Sequence, residues 1–222
     1  MNLIEELALI GYADDGTPVT DGMHLDNGLG GALLLELAMT ERIDVESDRV
    51  VVRDPSPAGH PMLDAALLRI AQDRPRKPKD WVAKLAKDTR GQVMAGLVAQ
   101  GVVREEKGKV LLIFPRTRYP ATHGVEPAAE TDARQRMRAA VAGDGPVEPR
   151  TAALCALVAA TGLDRKVFAD LDRRRVKARL REISQGEWAA TAVKKAIEQV
   201  QAAVMAAVTA STAATAATAG GS

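Results

Sequence analysis

The sequence predicts a mainly α-helical fold, a single globular domain with one or two small β-hairpins. Three observations support it: apolar residues recur at three- and four-residue spacing in several segments, glycines and prolines separate those segments, and only two short stretches favour hairpins. The 222 residues suffice for one good-sized domain. Because aromatic residues make up 3% of the chain, leucine, valine, isoleucine and alanine must form the core.

Helical periodicity places the elements along the chain. The first segment puts Leu3, Leu7 and Ile10 on one face, and the segment from about residue 80 ends at Gly101, as helices commonly do at a glycine. Helices are predicted over residues 3–10, 26–40, 62–72 and 80–100, and over 128–142, 148–161, 165–183 and 187–208.

The stretch 26–38 predicts the most buried helix. Asp26 and Asn27 carry side-chain oxygens that can cap a helix start, and the residues after the glycine block Gly28–Gly31 are almost wholly apolar. The glycines either let helices approach closely or hold a phosphate at a helix N-terminus. Close packing is favoured on the local sequence, because the block is not a complete phosphate-loop fingerprint.

Two hairpins are predicted. The first pairs 43–45 with 50–52 around Ser47-Asp48, and the second pairs 102–104 with 110–114 through a turn at Glu106-Lys107-Gly108.

The C-terminal part predicts a core helix followed by a tail. Valine and isoleucine recur along 187–208, so one stripe of that helix faces the core. Residues 209–222 contain alanine, threonine, glycine and serine without charge, which predicts a disordered tail. The domain is therefore expected to cover residues 1–208.

Charge and composition favour a cytoplasmic protein. The net charge is +1, so nucleic acid or membrane must be met by a local patch. Cys155 has no cysteine to pair with and lies in an apolar run, which indicates a buried hydrophobe in a reducing compartment. The N-terminus carries acidic residues where a signal peptide carries basic ones, and no run approaches the ~18 apolar residues of a membrane span. Any membrane contact should be peripheral.

Catalytic and metal motifs are missing from the sequence. His24, His60 and His123 lie at no metal-ligand spacing, and neither a nucleophile elbow nor a Walker loop is present. Glu36 lies inside the apolar run, where a carboxylate needs a partner, and we expect a structural pair with an arginine. We therefore predict a protein without enzymatic activity, cofactor or metal; an enzyme would need His24, His60 or Glu36 to converge in one cleft.

Basic residues point to an anionic partner. Lys84, Lys87 and Arg90 lie three residues apart on one predicted helix, and Lys87 and Arg90 can meet a single phosphate. Four further cations lie in the preceding loop, and residues 173–181 hold a second dense cluster, part of which can pair with nearby aspartates. Both clusters fit either lipid headgroups or nucleic acid.

Several stretches together resemble one known family. They are Gly28–Leu37 followed by Arg42-Ile43, Leu63–Leu67, the segment from Arg90 through Leu97–Val103, Val110–Phe114, Tyr119-Pro120 and Cys155–Val158. In this order they resemble the Golgi phosphoprotein 3 (GPP34) family, over roughly residues 3–208. The composition and the lack of a targeting signal are similar to those of a bacterial member.

The resemblance implies a mainly helical domain of the Golgi phosphoprotein 3 type that binds phosphatidylinositol 4-phosphate at a membrane surface. In eukaryotic members it also implies capture of the cytoplasmic tails of membrane enzymes. Of the family's four headgroup positions, two basic ones fall on Lys87 and Arg90. The arginine of the glycine block falls on Gly30 and the tryptophan falls near Asp21, so two positions depart from the pattern. The family's first hairpin, used for self-association, is shorter here.

The leading prediction is thus a peripheral membrane protein that binds anionic phospholipid through a basic pocket. Its predicted headgroup residues are Lys87, Arg90 and Lys84, with backbone support from Gly28 and Gly30. The alternative is a winged-helix-like nucleic-acid-binding protein, in which helix 80–100 and hairpin 102–114 meet phosphates; the neutral net charge counts against it. A third hypothesis is a ligand-free adaptor, which is favoured if the residues of the basic clusters form ion pairs within the protein.

Overall fold

The structure is a computed structural model that describes residues 1–110, 114–185 and 191–219, and it confirms a mainly α-helical domain. Its helices are α1 Leu3–Ile10, α2 Gly22–Met39, α3 Pro61–Ala71, α4 Pro78–Ala86, α5 Thr89–Ala99, α6 Ala128–Ala142, α7 Pro149–Ala160, α8 Asp164–Val167, α9 Arg173–Gln185 and α10 Thr191–Ala219. Its strands are β1 Ile43–Glu46, β2 Arg49–Val52, β3 Glu106–Val110 and β4 Phe114–Arg118.

Helix α2 lies at the centre and packs against α1, α4, α7 and α10. It is buried along most of its length from Leu25 to Leu37, as the apolar run predicts. The expected start at Asp26 is wrong, however. The helix begins at Gly22, where the side chain of Asp21 accepts a hydrogen bond from the amide of Met23 at 2.9 Å. The glycine block consequently lies inside the helix and not at its N-terminus.

The glycines of α2 are contact points for three neighbouring elements. A Cβ on Gly30 would overlap the carbonyl oxygen of Val82 in α4 and lie 2.9 Å from the amide nitrogen of Ala86. A Cβ on Gly28 would meet Thr161, after α7, and one on Gly31 would meet Val204 of α10. Close packing, the favoured interpretation of the block, accounts for these positions.

The helix predicted over 80–100 is two helices, because the chain turns sharply between α4 and α5. Lys87 is extended (φ −63°, ψ 126°), and Asp88 adopts a left-handed conformation with φ 66°. Aspartate tolerates this conformation better than most residues. The Thr89 hydroxyl donates to the carbonyl oxygen of Leu85 across the break. Apolar periodicity continues on both sides, so the pattern does not reveal the turn.

The helix predicted over 165–183 is also divided, into α8 and α9. The carboxylate of Asp172 accepts a hydrogen bond from the amide of Arg175 at 2.8 Å, so it caps the start of α9.

The first hairpin is confirmed, and the second is shifted in register. Ser47 and Asp48 connect β1 to β2 with φ 48° and 60°, the paired positive angles of a tight hairpin turn. In the second hairpin, β3 pairs with β4 from Glu106 opposite Arg118 to Val110 opposite Phe114. The predicted turn at 106–108 is therefore a strand, and the connection falls at 111–113, outside the described residues. An ion pair between Arg118 and Glu106, at 2.9 Å, links the two strands at the end of this pairing.

Helix α10 extends beyond the expected end of the domain. Ile197, Val200 and Val204 are buried against the core, as the valine stripe predicts. The helix then continues to Ala219, through residues for which we expected disorder. Alanine has the highest helix propensity and the segment follows an existing helix, so extension requires no new nucleation. Residues 220–222 of the predicted tail lie outside the described residues.

A buried ion-pair network joins α1, α2, α6 and α7. The carboxylate of Glu36 accepts hydrogen bonds from the amide of Leu3 at 2.7 Å and from the guanidinium of Arg150 at 3.2 Å. Arg150 also lies 3.5 Å from Glu6, and Arg136 contacts the same Glu6 oxygen at 3.0 Å. The expected arginine partner of Glu36 is thus confirmed.

Cys155 is buried in α7, as predicted. It is 1% exposed, and burial raises the pKa of its thiol to about 12. The side chain therefore behaves as a small hydrophobe.

Candidate functional site

Lys87 and Arg90 lie at the break between α4 and α5. Lys87 is exposed, and its ammonium forms no hydrogen bond or ion pair with any described residue. The side chain of Arg90 is 34% exposed, and its Nε lies 3.1 Å from Oδ1 of Asp26 in α2. The two cations therefore lie at the same break in the chain, Lys87 in the connection and Arg90 in α5, and not on the single helix that the sequence predicts.

The N-terminus of α5 adds a favourable electrostatic environment for an anion. Asp88 occupies the N-cap position, but its side chain makes no capping hydrogen bond. The first-turn amides of α5 consequently have no side-chain acceptor, and the helix dipole places partial positive charge at this end. Lys87 and Arg90 flank these amides directly, so charge and hydrogen-bond donors coincide.

Arg90 lies against the start of α2, and its charge is close enough to affect two tyrosines. A Cβ on Gly22 would lie 2.8 Å from Nη1 of Arg90, so glycine leaves the space that the guanidinium needs. The rings of Tyr12 and Tyr119 pack edge to face with centroids 5.6 Å apart. Burial raises the pKa of Tyr12, and the nearby charge of Arg90 opposes that shift. Met23, next to Gly22, is 47% exposed and lies at the same end of α2.

Asp26 is an internal anion bound to Arg90. Burial raises the pKa of Asp26 above its usual value, while Arg90 acts to lower it. An external anion that approaches Arg90 must therefore compete with this carboxylate. The sequence does not reveal the pairing, since Asp26 and Arg90 are far apart along the chain.

Lys84, the third predicted headgroup residue, is engaged elsewhere. Its ammonium is bound to Asp73 and lies 5.2 Å from the centroid of the Trp81 ring. Arg76 also binds Asp73 at 3.0 Å, and these hydrogen bonds hold the pKa of Asp73 well below its usual range. In the same loop, Lys77 pairs with Asp48 at 2.7 Å. Much of the upstream basic cluster is thus neutralised within the fold.

The remaining predicted positions have structural roles. Gly28 and Gly30 lie in the interior of α2, where amides donate to carbonyls within the helix. Asp21 caps α2. The structure therefore gives these residues packing and capping functions and brings neither glycine amide to the surface beside Lys87.

Histidines and carboxylates do not assemble into a metal centre in the described parts of the chain, where no group of three potential ligands occurs. Nε2 of His60 lies 3.9 Å from Glu5, whereas Glu36 is bound by Arg150.

A small cavity of about 90 Å³ lies next to the site, between α1 and the start of α6. Tyr12 and Tyr119 form part of its wall, and so does the buried carboxyl of Glu130, which accepts hydrogen bonds from Arg134. Burial raises the pKa of Glu130 to about 7. Sequence reasoning missed this carboxyl, because its burial depends on the packing of α6 against α1.

The chain matches the model of a known protein family. The family model described as Golgi phosphoprotein 3 (GPP34) matches residues 3–200, which is most of the chain. No helix within 1–110, 114–185 or 191–219 combines the length and the apolar character needed to cross a bilayer.

Proposed function

The chain belongs to the Golgi phosphoprotein 3 family, and from this premise we propose that it is a peripheral membrane protein that binds anionic phospholipid headgroups through Lys87, Arg90 and the N-terminus of α5. The observation that carries the proposal is the exposed Lys87, which pairs with none of the described residues and lies beside Arg90 at a helix N-terminus without a side-chain cap. A cytoplasmic location, and a role as a binding protein without catalysis, cofactor or metal, belong to the same proposal. Phosphatidylinositol 4-phosphate is the proposed headgroup, and cytoplasmic tails of membrane enzymes are proposed partners.

The proposed binding step is an exchange of anions on Arg90. A headgroup phosphate replaces Asp26 at the guanidinium, which can donate two parallel hydrogen bonds to phosphate oxygens. Lys87 approaches as a mobile point charge, and the free amides of α5 add donors. Met23 is exposed next to this position and can enter the interfacial region of the bilayer.

Two basic side chains, not three, contact the headgroup in this proposal, because Gly30 supplies none. We therefore expect the affinity to depend on the charge of the headgroup, so that a phosphomonoester binds more tightly than a phosphodiester. We do not expect it to depend on a pocket that encloses an inositol ring.

The nucleic-acid alternative loses two of its supports. Helix 80–100 is interrupted at Lys87 and Asp88, and Lys84 is bound to Asp73, so a continuous basic helix in front of the hairpin does not exist.

Sedimentation with vesicles tests the proposal. We expect the wild-type protein to bind phosphatidylcholine vesicles that contain phosphatidylinositol 4-phosphate as a minor component, and not vesicles of phosphatidylcholine alone. The Lys87→Ala/Arg90→Ala variant should bind at least ~10-fold more weakly, because hydrogen bonds to charged groups contribute about 1.5–3 kcal/mol.

The matched control is Arg69→Ala/Lys195→Ala, which removes two exposed positive charges from α3 and α10. Binding by the control should stay within ~2-fold of wild type. Equal loss in the control and the Lys87/Arg90 variant, or no binding by any protein, would refute the proposed site.

A further inference from the structure

The arginines of α9 divide into two groups with different environments. Arg175 donates to the carbonyl oxygen of Ala142 at 3.3 Å, and Arg179 donates to those of Ala140 at 3.1 Å and Gly145 at 2.5 Å. These carbonyls lie at or just beyond the C-terminal end of α6, where helix carbonyls lack intrahelical donors. Arg175 and Arg179 therefore attach α9 to α6.

The second group has no such partners. These side chains are exposed and form no hydrogen bond or ion pair with the part of the chain that the structure describes: Arg165, Lys166, Arg173, Arg174, Lys177 and Arg181. We call them the α8–α9 basic surface. Nearby acids are engaged elsewhere, since Asp170 binds Arg138, Asp172 caps α9 and Glu182 pairs with Arg179.

The placement of these cations opposes the stability of α9. Arg173 and Arg174 lie in the first turn, which contains no acidic residue, while the last turn contains no basic one. The helix dipole favours the reverse arrangement, with acids at the N-terminus and bases at the C-terminus. The Asp172 carboxylate compensates the dipole at the N-cap, but Arg173 and Arg174 pair with no carboxylate in the described part of the chain. Cations left in such a position are typical of a surface kept for binding.

The spacing of these cations suits an extended polyanionic partner. A row of cations about 12 Å long lies on the outer face of α9, formed at four-residue spacing by Arg173, Lys177 and Arg181. A hollow of about 90 Å³ lies between α8 and α9, with Arg165 and Arg173 in its wall beside Asp164. Phe168, between α8 and α9, is 2% exposed, so its ring is not available for base stacking.

The α8–α9 basic surface is too far from Lys87 and Arg90 to share one headgroup with them. Its attachment to α6 is at the C-terminal end of that helix, whereas the N-terminal end of α6 borders the cavity beside Tyr12. The length of α6, about 21 Å, separates the two ends. Several lipids of one bilayer can occupy both places, but a single small ligand cannot.

We propose that the α8–α9 basic surface is a second membrane contact, which binds anionic lipid bilayers through charge without selecting a headgroup. It rests on the proposed function in that the protein acts at a membrane, but it uses none of the same residues. Each Lys or Arg that lies near an anionic bilayer increases the affinity of the protein for that bilayer by about fivefold. This attraction decays within a Debye length of the surface.

Vesicles of phosphatidylglycerol and phosphatidylcholine, which lack any phosphomonoester, test this contact. The variant is Arg173→Ala/Arg174→Ala/Lys177→Ala in the full chain. We expect it to bind such vesicles about 100-fold more weakly than wild type at low salt, with the difference shrinking toward 1 M salt. Its Tm should equal or exceed that of wild type, because the substitutions remove charges that the helix dipole disfavours.

The matched control is Arg69→Ala/Arg116→Ala/Lys195→Ala, which removes three exposed charges from three separate elements. A loss of vesicle binding in the control as large as in the α9 variant would overturn the proposal, as would no loss in either. Binding to duplex DNA but not to vesicles, abolished by the α9 variant, would overturn it in favour of nucleic acid. On vesicles that contain phosphatidylinositol 4-phosphate, loss in the α9 variant with no effect of Lys87→Ala/Arg90→Ala would support this surface and refute the headgroup site, so the two failures are distinguishable.

Discussion

Gly30→Ala is expected to lower the free energy of unfolding by about 3 kcal/mol, the upper part of the range for overpacked interiors. The added Cβ would overlap the carbonyl oxygen of Val82 and lie 2.9 Å from the amide nitrogen of Ala86, and both atoms belong to the backbone of α4. A backbone cannot move aside as the end of a side chain can, so α2 and α4 must separate. Urea unfolding followed by far-UV circular dichroism measures the loss.

Gly96→Ala is the matched control for Gly30→Ala. Gly96 lies inside α5, and a Cβ built there has no neighbour within 4 Å. The same substitution should therefore stabilise the protein by about 0.5–1 kcal/mol, the usual difference between alanine and glycine in a helix. Equal stability of the two variants would show that α2 and α4 are not in close contact at Gly30.

The same contact decides what an arginine at position 30 would do. The resemblance places the headgroup arginine of the family pattern at position 30, so on that pattern alone Gly30→Arg would complete the headgroup pocket. In this chain the position faces α4 at backbone distance, and the variant should be largely unfolded rather than a tighter lipid binder. The glycine at position 30, where the family pattern has an arginine, is therefore needed for the close packing of α2 against α4.

Arg150→Met is expected to destabilise the protein by about 3 kcal/mol at neutral pH, because it leaves buried carboxylates without their cation. Glu6 is 5% exposed and Glu36 is 8% exposed, and both contact Arg150. Arg136 still reaches Glu6, which keeps the loss at the lower end of the range for broken buried pairs. Methionine preserves most of the buried volume of the arginine stem.

The loss in Arg150→Met should depend on pH. Burial already raises the folded-state pKa of Glu6, and Arg150 opposes that shift. A carboxyl whose folded pKa is raised destabilises the protein progressively as pH rises from its unfolded value through its folded value. Without Arg150 the pKa of Glu6 rises further. The variant should therefore lose most stability at about pH 7–8 and least near about pH 4–5, close to the ordinary glutamate pKa, where the folded-state Glu6 carboxyl is protonated.

Arg138→Met provides the control for Arg150→Met. Arg138 binds Asp170 at 2.5 Å, but both side chains are largely exposed, at 43% and 60%. Removing an exposed pair should cost less than about 1 kcal/mol. Urea unfolding of both variants at two pH values makes the comparison, and equal losses at neutral pH would contradict a buried network around Glu6 and Glu36.

Much of the fold can be predicted from local pattern. The apolar run 32–37 predicts a buried helix, Ser47-Asp48 predicts a tight turn, and the valine stripe of α10 predicts a core face. Each of these depends on residues close together in the chain. The break at Asp88 could not be predicted, because apolar periodicity continues across it and one left-handed residue leaves no trace in the pattern.

The site could be predicted in part. The spacing of Lys87 and Arg90 points to a phosphate, and the resemblance names the same two residues. The pairing of Arg90 with Asp26 could not be foreseen, since it depends on how α2 meets α5. Likewise, the sequence shows a dense run of arginines in α9, but only contacts with α6 separate the structural Arg179 from the exposed Arg173.

The most direct test of anion exchange at Arg90 is a double-mutant cycle between Asp26 and Arg90, with binding to phosphatidylinositol 4-phosphate vesicles as the readout. Asp26→Asn should tighten binding by about 3- to 5-fold, because it frees Arg90 from a partly exposed ion pair worth up to about 1 kcal/mol. In the Arg90→Ala background, the same substitution should give no gain. A gain that persists without Arg90, or no gain when Arg90 is present, would contradict the headgroup site at the α4–α5 break.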